Sequence, residues 1–121
     1  MSGQTVTVYT SDHGPVTLPE PSWCLGQHSW ETYQEDIEHQ GPETLALIPT
    51  LCHGEVPALA VSLMQRPFSP RESAVVATLH LDGDWHELDS KGLDVAAALL
   101  VEHATALRHL ARKLAALEVP R

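Results

Sequence analysis

Apolar residues recur at three- and four-residue steps from Leu93 to Leu117, through Ala96, Ala97, Leu100, Ala104, Leu107, Ala111 and Leu114. This spacing predicts one long amphipathic helix. Asp89 is placed to cap it, with Leu88 just before the cap and Leu93 at the fourth helical position as a hydrophobic staple. Asp94 suits the positive end of the helix dipole, Arg108, Arg112 and Lys113 suit the negative end, and Pro120 stops the run. About 26 helical residues rising 1.5 Å each reach roughly 40 Å. A small sheet needs less cover than that, so the surplus predicts a helix that projects or packs on a second copy. A chain of 121 residues suits a single domain, and a helix over 89–118 leaves the remainder to build a small sheet.

The middle of the chain has strand character. Leu45–Ile48 and Ala58–Met64 are apolar, β-compatible runs, and Ser73–Leu81 alternates, with Val75, Ala77, Leu79 and Leu81 on one face and Val76, Thr78 and His80 on the other. Asp82-Gly83-Asp84 reads as a tight hairpin turn returning through Trp85–Leu88. Near the start, Thr5–Tyr9 and Val16–Leu18 are short strands around a turn at Asp12-His13-Gly14-Pro15. Residues 19–42 show neither period, yet contain Trp23, Cys24 and Trp30, types that are seldom left in solvent. Such a segment needs a small helix, a metal or a partner to order it. The expected architecture is therefore α+β: an irregular N-terminal segment (1–42), antiparallel hairpins (43–88) and the helix (89–118) in one domain, 1–121.

A formal charge of −9 argues against nucleic acid and anionic lipid, because counterion release requires clustered Lys and Arg. No stretch has the ~20 consecutive apolar residues of a membrane span. The start, MSGQTVTVYT, has neither a basic region nor an apolar core of a leader. Two cysteines without a leader predict reduced thiols or metal ligands in a cytoplasmic protein, not a disulfide framework. The acidic run Glu31, Glu35, Asp36, Glu38 and Glu43 and the basic C-terminal end permit docking by complementary charge, to a second copy or another protein.

The residues richest in chemistry are Glu20-Pro21-Ser22-Trp23-Cys24-Leu25-Gly26-Gln27-His28, followed by His39-Gln40-Gly41. Cys24 and His28 are four apart, so one helical turn or a tight loop aims both at one point, and His39 can return through the intervening loop. Thiolate and imidazole are ligands that Zn2+ prefers in a tetrahedral shell. With Glu20 as the fourth ligand, the two negative charges neutralise a dication and ease its burial. Cys52, His53 or His13 could replace Glu20; Cys52 and His53, if on a strand, point to opposite faces, so at most one would join. The simpler expectation for Cys52 is burial as a free thiol, with His53 solvated. His80 and His86, if they face each other across the hairpin, could hold a transition ion weakly, although a solvated hairpin tip explains that cluster more simply. His53-Gly54-Glu55 lacks the Pro-Cys-x-x-Cys partner of a zinc deaminase, and Trp23-Cys24 lacks the second thiol of a redox pair because position 27 is Gln.

The stretch from Glu20 to Gly41 resembles a motif of small uncharacterised actinobacterial proteins, Cys-Pro-x-Trp-Cys-x-x-x-His with a later His-x-Gly. Pro21, Trp23, Cys24, His28, His39 and Gly41 match it, while Glu20 stands where the first Cys would be. The resemblance implies a hairpin followed by an Ala/Leu-rich terminal helix, and supplies no activity.

Three functions fit these residues. The first is a noncatalytic metal-clipped module that self-associates or binds a protein partner through the helix. The second is a hydrolase with a Cys24/His28/His39 zinc site and Glu20 as general base. The third is a metal-free domain whose N-terminal segment orders on a partner.

Overall fold

The structure is a computed structural model that describes residues 4–29 and 31–118; Trp30, Pro120 and Arg121 lie outside the described residues. It is α+β, with antiparallel sheets and one long C-terminal helix. The chain falls into two compact units, the first ending at Leu88 and the second beginning at Asp89.

In the first unit, β1 (Thr5–Thr10) and β2 (Gly14–Pro19) form a two-stranded antiparallel sheet. Alternation sends Val8 and Leu18 inward, where with Ile37 they make a small core, flanked by Val6 and Val16. Residues 31–37 are fastened to this hairpin by two backbone links and one side chain: Thr10 bridges Thr32, the Ser11 amide donates to Thr32 O (2.8 Å), and the Gln34 amide donates to the Asp12 carboxylate Oδ1 (3.0 Å). A single 3-10 turn, Gln34–Asp36, then places Ile37 in the core.

The larger sheet is built around β5 (Gly54–Gln65). β3 (His39–Gln40) and β4 (Thr44–Thr50) pair along one edge of it, and β6 (Val76–Leu81) pairs along the other, followed by β7 (Asp84–Leu88). The alternation read at 73–81 places Ala77 and Leu79 inside, 5% and 4% exposed, while Val75 and Leu81 at the ends of that face stay open. Asp82 and Gly83 both have positive φ, as a two-residue hairpin turn requires.

The register of β4 on β5 slips between Thr44–Val61 and Ala46–Ala58, so β5 carries one extra residue there. Leu59, at φ 58°, is in this bulge; left-handed backbone costs a side-chain-bearing residue roughly 1–2 kcal/mol. Beyond the bulge, β4 and the start of β5 form a two-stranded ribbon whose residues are exposed, Leu47 and Ile48 included. Pro49 pairs with Glu55 and Pro57 with Leu47, two rungs apart and so of the same kind. Lacking N–H groups, the prolines fit the rungs whose amides point away from the partner strand. Each rim of the ribbon thereby lacks one donor for further strand pairing.

The β1–β2 and β4–β5 loops are built alike, as Thr-x-x-His-Gly. Thr10 Oγ1 donates to Gly14 O (2.8 Å) and accepts from the His13 amide (3.0 Å); Thr50 Oγ1 donates to Gly54 O (2.9 Å) and accepts from the His53 amide (3.0 Å). Gly14 and Gly54 close the loops at φ 63° and 64°, which a glycine adopts without a Cβ clash.

The second unit holds α1 (Ser90–Leu117), 28 residues long. Asp89 caps it, accepting from the Gly92 amide at 2.7 Å. The dipole expectations are corrected: neither an acidic residue in the first turn nor a basic one in the last is present. Asp94 and Lys113 each fall just outside those turns, where the terminal field has decayed. No helix among the described residues is long and apolar enough to cross a membrane.

Candidate metal centre

The site is assembled by the backbone before any side chain takes part. β2 ends at Pro19, and the Glu20 amide donates to Gln4 O (3.0 Å), fixing Glu20 at the mouth of the first hairpin. A turn follows, closed by the Cys24 amide on Pro21 O (3.0 Å), and the next amide, Leu25, donates to Gln40 O (2.9 Å). That bond ties the Cys24 loop to the strand carrying His39. β3 itself is held to β5 through His39–Gln65 and Gln40–Met64, and the Gly41 amide donates to Leu63 O (2.9 Å). At Gly41 a Cβ would lie 3.3 Å from Trp23 O and 3.5 Å from the Trp23 ring. The absence of a side chain there lets the Trp23–Cys24 backbone close over the strand.

The result brings Glu20, Cys24, His28 and His39 together, with one ligand atom from each and all four within 4.8 Å of one another. Among the described residues they are the one group of three or more potential ligands so arranged. Glu20 reaches both imidazoles: Oε2 is 2.9 Å from His28 Nε2 and Oε1 is 2.8 Å from His39 Nδ1. Cys24 Sγ is 4.0 Å from His28 Nε2 and accepts the Gly26 amide at 3.4 Å. The two imidazoles are 5.5 Å apart between centroids and cross at 79°, and Trp23 meets His39 edge-on at 6.2 Å. His39 is 2% exposed and the side chains of His28 and Glu20 are 8% and 12% exposed.

The electrostatics are those of a crowded polar pocket. Burial pushes the Glu20 carboxyl up, but its hydrogen bonds to His28 and Cys24 and the charge of the two imidazoles prevail and hold it below its usual range. Burial raises the Cys24 thiol, against the backbone amides directed at its sulfur, and the Glu20 carboxylate raises it further. Burial and the neighbouring His28 lower His39, opposed by Glu20. His39 Nδ1 lies close to Glu20 yet is not aligned for a hydrogen bond, and His28 Nδ1 is also buried without a hydrogen-bond partner.

A carboxylate, a thiol and two imidazoles that converge, with one buried nitrogen of each imidazole left without a hydrogen bond, fit a cation. Zinc–ligand bonds of about 2.0–2.3 Å place tetrahedral donors roughly 3.5 Å apart, within the spread seen here. The remaining candidates are elsewhere. Cys52 and His53 are in the β4–β5 loop, not on a strand, and both are exposed, so the expected burial of Cys52 is overturned. His53 and His13 hold the same place in twin loops, and His13 pairs with Asp12 at 3.1 Å. His80 faces Trp85, not His86, with ring centroids 5.0 Å apart; the register pairs His86 with Leu79 instead.

A family model described as a domain of unknown function, DUF6907, matches residues 5–116. The chain belongs to this family. The DUF6907 match takes in all seven strands, the four converging residues and nearly all of α1. No curated protein and no solved structure matches the chain. The four candidate residues meet in space, and what sequence reasoning missed is the backbone that supports them. The Gly26 amide on sulfur and the Leu25–Gln40 bond are backbone contacts that residue types do not announce.

Proposed function

We propose that this DUF6907 protein is a noncatalytic metal-binding module. Zn2+ held by Glu20, Cys24, His28 and His39 stitches the β1–β2 hairpin to the larger sheet. The observation that carries the reading is the convergence of the four ligand atoms within 4.8 Å. Mixed sulfur, nitrogen and oxygen donors suit Zn2+ over Mg2+ or Ca2+, which take oxygen. Carboxylate and thiolate together cancel the charge of a dication in a pocket where His39 is 2% exposed. The likeness of Trp23-Cys24-x-x-x-His28 and His39-x-Gly41 to the motif of small actinobacterial proteins supports the same reading, with Glu20 replacing that motif's first Cys. Both Glu20 oxygens are turned to the imidazoles, which favours a ligand role over that of a general base.

The protein works in a reducing compartment such as the cytoplasm, where Cys24 stays a thiolate ligand. α1 supplies the contact to a second copy or a protein partner, supported by the apolar stripe from Leu93 to Leu117 on a helix of 28 residues.

Elemental analysis of protein purified without a polyhistidine tag tests the reading. It should give about one zinc per chain, lost in Cys24→Ser, with a two-chain mass in solution. Metal-free protein whose unfolding is unmoved by chelator or added zinc would overturn it.

A further inference from the structure

Four leucines stand seven residues apart on α1, Leu93, Leu100, Leu107 and Leu114. Each is followed three residues later by a second member of the same stripe, in turn Ala96, His103, Leu110 and Leu117. Alternating steps of three and four, kept from Leu93 to Leu117, mark the a and d positions of a coiled coil. None of the residues of α1 is buried, and Leu107, Leu110, Leu114 and Leu117 are each more than half exposed. A helix in a folded protein is held mainly by the packing of its apolar face, so this seam requires a cover.

Two properties of the seam say what covers it. The first is charge. The half of α1 up to His103 carries Lys91 against Asp94 and Glu102, whereas the remainder carries Arg108, Arg112 and Lys113 and no acid. A parallel copy would set these three cations beside their own counterparts. An antiparallel copy sets them beside its acidic half and opposes the two helix dipoles. The second is volume. In a parallel pair Ala96 would meet Ala96 and His103 would meet His103, leaving one thin layer and one polar one. Run antiparallel, the same stripe puts a leucine opposite every seam position, which spreads the volume evenly. Ala97, Ala104 and Ala111, each next to a d position, let the helices approach closely.

We propose that α1 pairs with α1 of a second copy of this chain as an antiparallel coiled coil. Leu93 lies against the partner's Leu117, Ala96 against the partner's Leu114, Leu100 against the partner's Leu110 and His103 against the partner's Leu107. The inference rests on the reading that α1 supplies the contact to another chain, and it names that chain, its direction and its register.

Sedimentation equilibrium of the full chain tests the seam. The full chain should give a two-chain mass, and Leu107→Asp, which puts a charge into the seam, should give a single-chain mass. Val101→Asp is the control, because Val101 is apolar and 70% exposed but follows an a position and so lies off the seam; it should keep the two-chain mass. Direction is tested by cross-linking in a Cys52→Ser background, which removes the exposed native thiol. Chains carrying Ala96→Cys and chains carrying Leu114→Cys, mixed, left to exchange and mildly oxidised, should form disulfide-linked pairs with one chain of each kind. Neither variant should link to its own kind. Linkage between like chains, or dissociation by Val101→Asp as well as by Leu107→Asp, overturns the antiparallel seam while leaving self-association in place. A single-chain mass for the full chain overturns the proposal and leaves α1 to a different protein.

Discussion

Glu20 is the residue on which the electrostatics of the site turn. Its carboxylate touches both imidazoles and supplies one of the two charges that would neutralise a dication. Glu20→Gln keeps the shape and removes the charge, so zinc affinity should fall at least about tenfold by chelator competition, with the metal-free fold intact. Gly41 matters for a different reason. A Cβ there would sit 3.3 Å from Trp23 O, and a backbone oxygen cannot rotate aside as a side chain can. Gly41→Ala should destabilise the protein by about 1–3 kcal/mol, measured by denaturant unfolding. The four converging residues were legible as candidates because their chemical types crowd into some twenty residues. Gly41 was legible only as a letter in a motif; its reason is a close approach between segments, visible only once both are placed.

Among the elements, the helix and the β6–β7 hairpin were read most directly. A 3.6-residue period and an Asp-Gly turn are local signals, and Asp89 caps α1 as its position implied. Asp89→Ala removes the acceptor of the Gly92 amide and should cost the helix about 1 kcal/mol, followed as loss of helical signal on heating. The long strand β5 was read only in part, from Ala58 to Met64, because its first residues carry Gly, Glu and Pro and its regularity is broken at Leu59. Those residues join the strand through pairing with β4, a partnership no residue type declares. The kinship of the two Thr-x-x-His-Gly loops also went unread. The histidines in them suggest ligands, whereas the structure uses their backbone amides to close turns.

For the whole molecule, the titrating groups of the site predict how the metal-free protein responds to pH. His39 is lowered from its ordinary 6.5, so its contribution is complete above that value and diminishes as pH falls below it. Glu20 is lowered from 4.5, adding a second loss as pH drops through its folded value. Cys24 is raised from 9.0, so its contribution is present below 9.0 and lost as pH climbs through the folded value. Urea unfolding of the metal-free protein should therefore show greatest stability between about pH 7 and 9, declining first on the acid side near 6.5. Zinc should extend the alkaline side, since a bound thiolate no longer needs its proton.

The order of the ligands along the chain has a consequence for how the protein is made. Glu20, Cys24 and His28 leave the ribosome together, long before Gln65, whose strand seats His39. On the zinc reading, a nascent chain would seize its ion with three groups while the sheet is still unmade, and the fourth would lock in only after β5 has emerged. Metal supply would then act during synthesis, on the growing polypeptide, as well as on the finished protein.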